Sequence, residues 1–384
     1  MYKLFICLLL ISFCVLCYSE DSILDGTELE LTFLVHRHGD RTPVVTTLSQ
    51  SNDPEALIKA SAKYGFGQLT DAGKRRGYAL GQFIRRRYDG LLSSTYNKSE
   101  IYIRSTDSTR AKMTVLAAMA AVYPGDQDRW SDHVNWTPVP YTTVPAKYDF
   151  NLAITNCPNL LSSFTSLYDL TDPFPSLDQY TDALNQWSEV VGFDISEQPM
   201  YAYTLNDIYT AQMSLGIPLD PKLQDIYPEI EEIAGIAIDY IFGTKDRGTL
   251  LAGVLLNQFL KVADQVIAGE DVPRVQVYSA HDINVFSFQV VTQITPRQGV
   301  PKYGSAYALE LRKVVATGEY IVVPVYLNTP SEDVVTYLQV AGCDQRCNIE
   351  SFRSITAPFS LEEAEWRTKC GFSEDMNIDT SSVD

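Results

Sequence analysis

The stretch LELTFLVHRHGDR, residues 29–41, alternates apolar and polar side chains, runs apolar through Val35, and turns polar at Arg37. That change predicts a buried strand over about 28–35. Its carboxyl end carries His36, Arg37, His38, Gly39 and Arg41, and Pro43 stops regular pairing. In LTDAGKRRGYALGQFIRRRYDG, residues 69–90, Gly77, Leu80, Gly81, Ile84 and Tyr88 recur at helical spacing, and Thr70 suits the N-cap. The run Arg85-Arg86-Arg87 spreads over adjacent helix faces and reads as solvated surface. IYIRSTDSTRAKMTVLAAMAAVYPG, residues 101–125, repeats the strand-then-helix pattern. A short strand ends at Arg104, and Ser105 or Thr106 caps a helix running to about Val122. Met113, Leu116, Ala117 and Ala120 are expected on its core face. RVQVYSAHDINVFSFQVVTQI, residues 274–294, gives a third strand, with His281 and Asp282 at its end and a helix after it. YALELRK and YIVVPVYL predict a hairpin near Gly318.

Three strand–loop–helix units therefore deliver polar residues at strand carboxyl ends, the edge where open α/β sheets bind ligands. The helix N-termini there also offer free N–H groups to an anion. The stretch 130–245 differs: it is rich in Pro, Tyr, Asp and Ser, with short helical pieces such as SLDQYTDALNQWSEVV and IEEIAGIAIDYIF. It is expected to form an inserted, mostly helical cap, leaving 24–129 and 246–372 as the α/β domain. No internal repeat or low-complexity tract occurs.

The first residues, MYKLFICLLLISFCVLCYSED, have the layout of a secretory signal peptide, expected over 1–19. No second apolar run of spanning length is expected and the tail is polar, so no membrane anchor is expected. Export implies a destination outside the cell or in a lysosome-like vesicle. Four of the seven cysteines lie beyond the leader: Cys157, Cys343, Cys347 and Cys370. An even number suits an oxidising compartment and allows three pairings. A Cys343–Cys347 bridge would close a small loop and leave Cys157–Cys370 as a long-range staple. Zinc ligation is the rival reading, weakened because no C-x-x-C pair occurs among these four. Sequons at Asn97 and Asn135 suit a glycoprotein. The net charge of −18 argues against nucleic acid or anionic membrane as partners. Against that background, arginines gathered in one pocket stand out.

Arg37, Arg41 and Arg104 converge if the three strand ends are neighbours. Guanidinium forks match phosphate oxygens and stay charged at any relevant pH. His38 is then the candidate nucleophile, kept neutral by the surrounding arginines. His281 would donate to the phosphoryl oxygens, and Asp282 would protonate the leaving alcohol and later take a proton from water. A fixed cationic cluster would stabilise charge on the equatorial oxygens.

RHGDRTP resembles the R-H-G-x-R-x-P signature of the histidine acid phosphatases, IYIRSTDSTR their second arginine segment, and SAHD their proton-donor motif. The order and spacing resemble the animal prostatic, lysosomal and insect venom type, from about Leu31 to Cys370. R-H-G alone is shared with the wider phosphoglycerate mutase-like superfamily. The resemblance implies His38 as nucleophile, Arg37, Arg41, Arg104 and His281 as phosphate ligands, and Asp282 as proton donor. It implies a mixed central sheet with helices on both faces, a helical insert, no metal or other cofactor and, in many members, a homodimer. It also implies the bridges Cys343–Cys347 and Cys157–Cys370, while the cysteines of a third prostatic-type bridge are absent. H-D at 281–282 leans toward general acid phosphatases acting on small-molecule or peptide phosphomonoesters.

His36 departs from the usual apolar or aromatic residue before R-H-G. With His38, His281 and Asp282 it raises a rival metal-dependent hydrolase, disfavoured because a metal site does not need three arginines beside it. A phosphate-binding protein without catalysis is a third reading, opposed by the presence of His38 and Asp282.

Overall fold

The computed structural model describes residues 23–126, 129–164, 167 and 173–380; the expected leader, 1–19, lies outside them. The first strand, β1 (Thr27–Arg37), continues two residues past the expected end because it is paired on both sides. The others that matter for the site are β2 (Ile101–Ser105), β3 (Thr142–Thr143), β4 (Val275–Ala280), β5 (Ile294–Thr295), β6 (Ala306–Val314) and β7 (Tyr320–Leu327). Among the described residues one mixed sheet runs β7-β6-β1-β4-β2-β3, with two further short strands against β7. β1, β4, β2 and β3 are parallel; β6 and β7 form the hairpin expected at Gly318 and run antiparallel to β1.

Register brings the chemistry together. Arg37 lies opposite Ala280, and Ser105 opposite Ser279, so β1, β4 and β2 end level. The residues that follow each strand are thereby forced to one edge of the sheet.

Helices cover both faces. The period-two alternation of β1 sends Leu31, Phe33 and Val35 against α5 (Lys245–Ile267) and α6 (Asp282–Val291), where Leu255, Phe259, Phe286 and Phe288 are buried. Leu34 faces α1 (Asp71–Arg87) and α2 (Thr109–Val122) on the other side. Each such burial contributes about 1.5–3 kcal/mol. α5 is the one helix among the described residues that is long and apolar enough to cross a membrane. It departs from the expectation of no second spanning run because it is a core helix, apolar where it packs in this layer.

A separate apolar cluster gathers Trp187, Leu205, Ile208 and Tyr209 with Ile230, Ile233 and Ala237, from α3 (Tyr201–Ser214), α4 (Tyr227–Phe242) and the helix Thr181–Val191. Leu57, from the short helix Pro54–Ser61 that follows β1, joins it. β3 and Phe150, Ala153 and Cys157 pack with the main sheet, although they fall within the stretch 130–245. Cys157 bridges to Cys370 and Cys343 to Cys347.

Three local expectations change. α2 begins at Thr109, after Ser108, rather than at Ser105 or Thr106. Thr106 instead turns its hydroxyl to His281 Nε2, 3.0 Å away. The buried face of α2 is Arg110, Ala111, Thr114, Val115, Ala118, Met119 and Val122, whereas Leu116 is exposed and Met113, Ala117 and Ala120 are half-buried. The reason is close packing against α1. Gly77 and Gly81 lie against the backbone at Thr114 and Ala118, and this contact fixes the rotation of α2. The reading of Arg85–Arg87 as solvated holds for Arg86, which meets Asp333 at the surface. It fails for Arg87, whose Nε reaches the wholly buried Glu310 at 2.7 Å. Arg312 shares that carboxylate at 2.8 Å, so Glu310 is compensated from two sides.

Gly73, at the start of α1, touches the backbone of Gly39 and Asp40, just beyond His38. A methyl group there has no room, because the Asp40 main chain and the Leu69 side chain already fill the space. Gly73→Ala is expected to lower stability by about 1–3 kcal/mol and to reduce activity by shifting the loop that holds His38. Thermal unfolding with kcat measured well below Tm checks both effects.

Candidate active site

Main-chain pairing fixes His38. Its N–H donates to the Ala280 carbonyl at 3.0 Å, and its carbonyl accepts from Gly304 N–H at 2.9 Å. The next N–H, of Gly39, donates to Thr114 Oγ1 at 3.0 Å, tying the loop to α2. The imidazole Nδ1 lies 2.8 Å from the Gly39 carbonyl. A carbonyl only accepts, so Nδ1 carries the proton and Nε2 keeps its lone pair for attack. The ring centroid of His281 is 5.5 Å away and that of Tyr303 5.8 Å.

Two of the expected arginines meet there. Arg37 Nη1 donates to the Pro301 carbonyl at 2.7 Å, and its Nη2 lies 3.0 Å from Asp207 and 3.1 Å from Asp282. Its guanidinium sits 4.4 Å over the Tyr303 ring. Arg41 Nη1 donates to the Thr42 carbonyl and its Nη2 lies 2.7 Å from the other Asp207 oxygen. The Nε–H of each is buried without a partner among the described residues. Two buried cationic donors left over in one place suit an anion.

Arg104 does not converge with them and is a correction to the sequence reading. It leaves the end of β2 toward β3, donates to Asp149 at 2.7 Å, and lies 4.4 Å over the Phe150 ring. Arg110, six residues on, is buried on α2, and its charge bears on both histidines. Burial first, and then Arg110 ahead of Arg37, push the pKa of His38 well below its usual value, with His281 and Arg41 adding. Burial and then Arg110, Arg41 and Arg37 do the same to His281. Arg104 is among neither set of causes. The signal for Arg110 was helical spacing: Arg110, Thr114 and Ala118 share the face of α2 that turns inward.

Asp207, on α3, is a second residue the sequence reading did not single out. Burial pushes its carboxyl up, but Arg41 and Arg37 outweigh burial and hold it below the usual carboxylate range. Asp282 is the first residue of α6, and burial and then the charges of Asp282 and Asp207 push the phenol of Tyr203, on α3, well above its ordinary value. His36 lies apart in function. It is fully buried, its Nδ1 is 3.0 Å from the Arg37 carbonyl, and burial lowers its pKa to about 4. Among the described residues no three His, Cys, Asp or Glu side chains are grouped to hold a metal. The four cysteines expected to rival as zinc ligands are bridged instead. A cavity of about 1450 Å³ opens beside Arg37, lined in part by Asn206, Tyr227, Glu231, Lys302 and Tyr303.

The family model described as histidine phosphatase superfamily (branch 2) matches residues 28–200, which include β1, β2, α2 and the residues from His38 to Arg110. Over that stretch the chain is similar to this branch of the histidine phosphatases. It is 29% identical over 365 residues to the prostatic acid phosphatase of Bos taurus, covering 89% of this chain and 88% of the relative. It is 27% identical to the lysosomal acid phosphatase of Homo sapiens, covering 89% and 80%. Its fold is similar to a solved Hafnia alvei phytase in complex with tartrate, with a TM-score of 0.65, 15% identity, and coverage of 88% and 98%. The mixed sheet flanked by helices is thus shared with the phytase.

Arg110 and Arg104 separate cleanly by experiment. Arg110→Ala is expected to lower kcat/KM for a phosphomonoester by about 10²–10³-fold with little loss of stability. Arg104→Ala leaves Asp149 buried and uncompensated, so it is expected to cost about 3 kcal/mol of stability with a smaller effect on kcat/KM. Steady-state kinetics and thermal unfolding of the two variants side by side check the assignment.

Proposed function

We propose that the protein is an exported acid phosphatase that hydrolyses phosphate monoesters through a phosphohistidine at His38. The observation that carries this is the His38 Nε2, left with its lone pair while Nδ1 is held, amid the charges of Arg37, Arg41 and Arg110. His38 Nε2 attacks phosphorus, forming a P–N bond as the ester P–O bond breaks. Asp282, in its protonated form, gives its proton to the departing alkoxide, so the alcohol leaves neutral. Water then attacks the phosphohistidine, Asp282 takes back a proton, and the P–N bond breaks to release inorganic phosphate and His38. Arg37, Arg41 and Arg110 bind the equatorial oxygens throughout, and His281 adds a hydrogen bond. Acid phosphatases among the relatives support this class of reaction. The cavity beside Arg37 leaves space for a leaving group much larger than a simple alcohol.

Export, glycans on the exposed Asn97 and Asn135, and a homodimer belong to the same reading. The two disulfides suit an oxidising compartment. The cap that shapes the leaving-group side is assigned to 130–245, with its own apolar cluster as support.

The direct test uses p-nitrophenyl phosphate with and without EDTA. Turnover insensitive to chelator is expected; loss of activity with EDTA would instead favour a metal-dependent hydrolase. Quenched wild-type enzyme should carry an acid-labile, base-stable phosphoryl group. His38→Ala should not, and Asp282→Ala should still form it from a substrate with a good leaving group. The acid side of the pH profile follows from the lowered pKa values of His38 and His281. Both imidazoles stay neutral as pH falls through the ordinary histidine range, and protonation sets in only below their lowered values. kcat/KM is therefore expected to hold or rise from pH 7 to pH 5; a steady fall below the ordinary histidine pKa of about 6.5 would contradict it.

A further inference from the structure

Asp207 stands out because it is an anion placed inside a site built to attract one. It comes from the helical cap, on α3, and not from the sheet that supplies His38, Arg37 and Arg41. One carboxylate oxygen lies 3.0 Å from Arg37 Nη2 and the other 2.7 Å from Arg41 Nη2, so a single side chain bridges both guanidiniums. The geometry is that of two oxygens of a phosphate spanning two arginines. Asp207 is half-buried, and the two arginines outweigh burial and hold its carboxyl below the usual carboxylate range. Its neighbours also include Arg110, another cation expected around the phosphoryl group.

We propose that Asp207 is a built-in competitor for phosphate: a cap-borne positioning residue that holds Arg37 and Arg41 ready and weakens their grip on the product. This rests on the phosphatase reading above. Without a counter-anion, three clustered guanidiniums would repel one another and would bind inorganic phosphate tightly after each turnover. The carboxylate offsets part of that charge and fixes the two forks by their Nη2 groups. The buried Nε–H groups of Arg37 and Arg41 stay available to substrate oxygens. Because Asp207 belongs to α3, the same contact makes the affinity of the site for phosphate depend on the seating of the cap.

Competition and mere orientation predict opposite signs. If Asp207 only orients the arginines, removing it loosens them and phosphate binds more weakly. If it competes, removing its charge strengthens phosphate binding. The variants are Asp207→Asn, which keeps the shape, and Asp207→Ser, which leaves room for water on both guanidiniums; Asp207→Glu keeps the charge. Binding of inorganic phosphate to the full chain is measured by calorimetry, alongside kcat, KM and the inhibition constant for phosphate. Asp207→Asn and Asp207→Ser are expected to bind phosphate about tenfold more tightly, with kcat reduced and KM for p-nitrophenyl phosphate lowered with it. Asp207→Glu is expected to stay near wild type. Unchanged or weaker phosphate binding in whichever of the two neutral variants folds would overturn the proposal. Calorimetry needs no turnover, so a wild-type protein that binds phosphate but hydrolyses nothing would refute the phosphatase reading and leave this inference open to the same binding comparison.

Discussion

Buried guanidinium charge is the constraint to which the rest of this molecule is fitted. Arg37, Arg41, Arg104 and Arg110 are all nearly inaccessible to water, within one end of one sheet. Removing such groups from water is costly unless each finds a counter-charge or carbonyl acceptors. The chain supplies both. Asp207 and Asp282 face Arg37, Asp207 faces Arg41, Asp149 faces Arg104, and backbone carbonyls of Pro301 and Thr42 take further donors. The same principle appears away from the site, where Glu310 is held between Arg87 and Arg312.

That electrostatic arrangement explains why two histidines can sit together there. An imidazole among several fixed cations pays heavily to take a proton, and burial adds to the cost. His38 and His281 are therefore kept neutral by their surroundings. Neutrality alone does not make a nucleophile, because the lone pair must also face the right way. The Gly39 carbonyl settles that point by holding the Nδ1 proton. A main-chain contact of this kind is available only because the loop after β1 is pinned to β4, to Gly304 and to Thr114.

The helical cluster around α3 contributes charge as well as packing. α3 lends Asp207 to Arg37 and Arg41, so a helix outside the central sheet completes the charge balance at the end of β1. Its own apolar cluster gives that helix a support independent of the central sheet. The short helix Pro54–Ser61 after β1 joins the cluster through Leu57, linking the segment that carries His38 and Arg41 to the helices around α3.

Local pattern determined a good deal. The alternation of β1, the strand ends before His38 and before His281, the N-cap at Thr70 and the hairpin at Gly318 all follow from side-chain period and turn chemistry within a few residues. Clustering of Arg37, His38 and Arg41 was legible because one strand end carries all three. What sequence could not decide was how elements rotate and what reaches them from afar. α2 is apolar on more than one face, so its period did not say which face turns inward; the glycines of α1 did, by admitting close backbone contact. That rotation sent Arg110 to the site, while the neighbouring β3 segment held Arg104 away from it. Asp207 lies 166 residues from Arg41 along the chain. Its role depends on where α3 is seated, and such a placement is set by tertiary packing, to which local periodicity is blind.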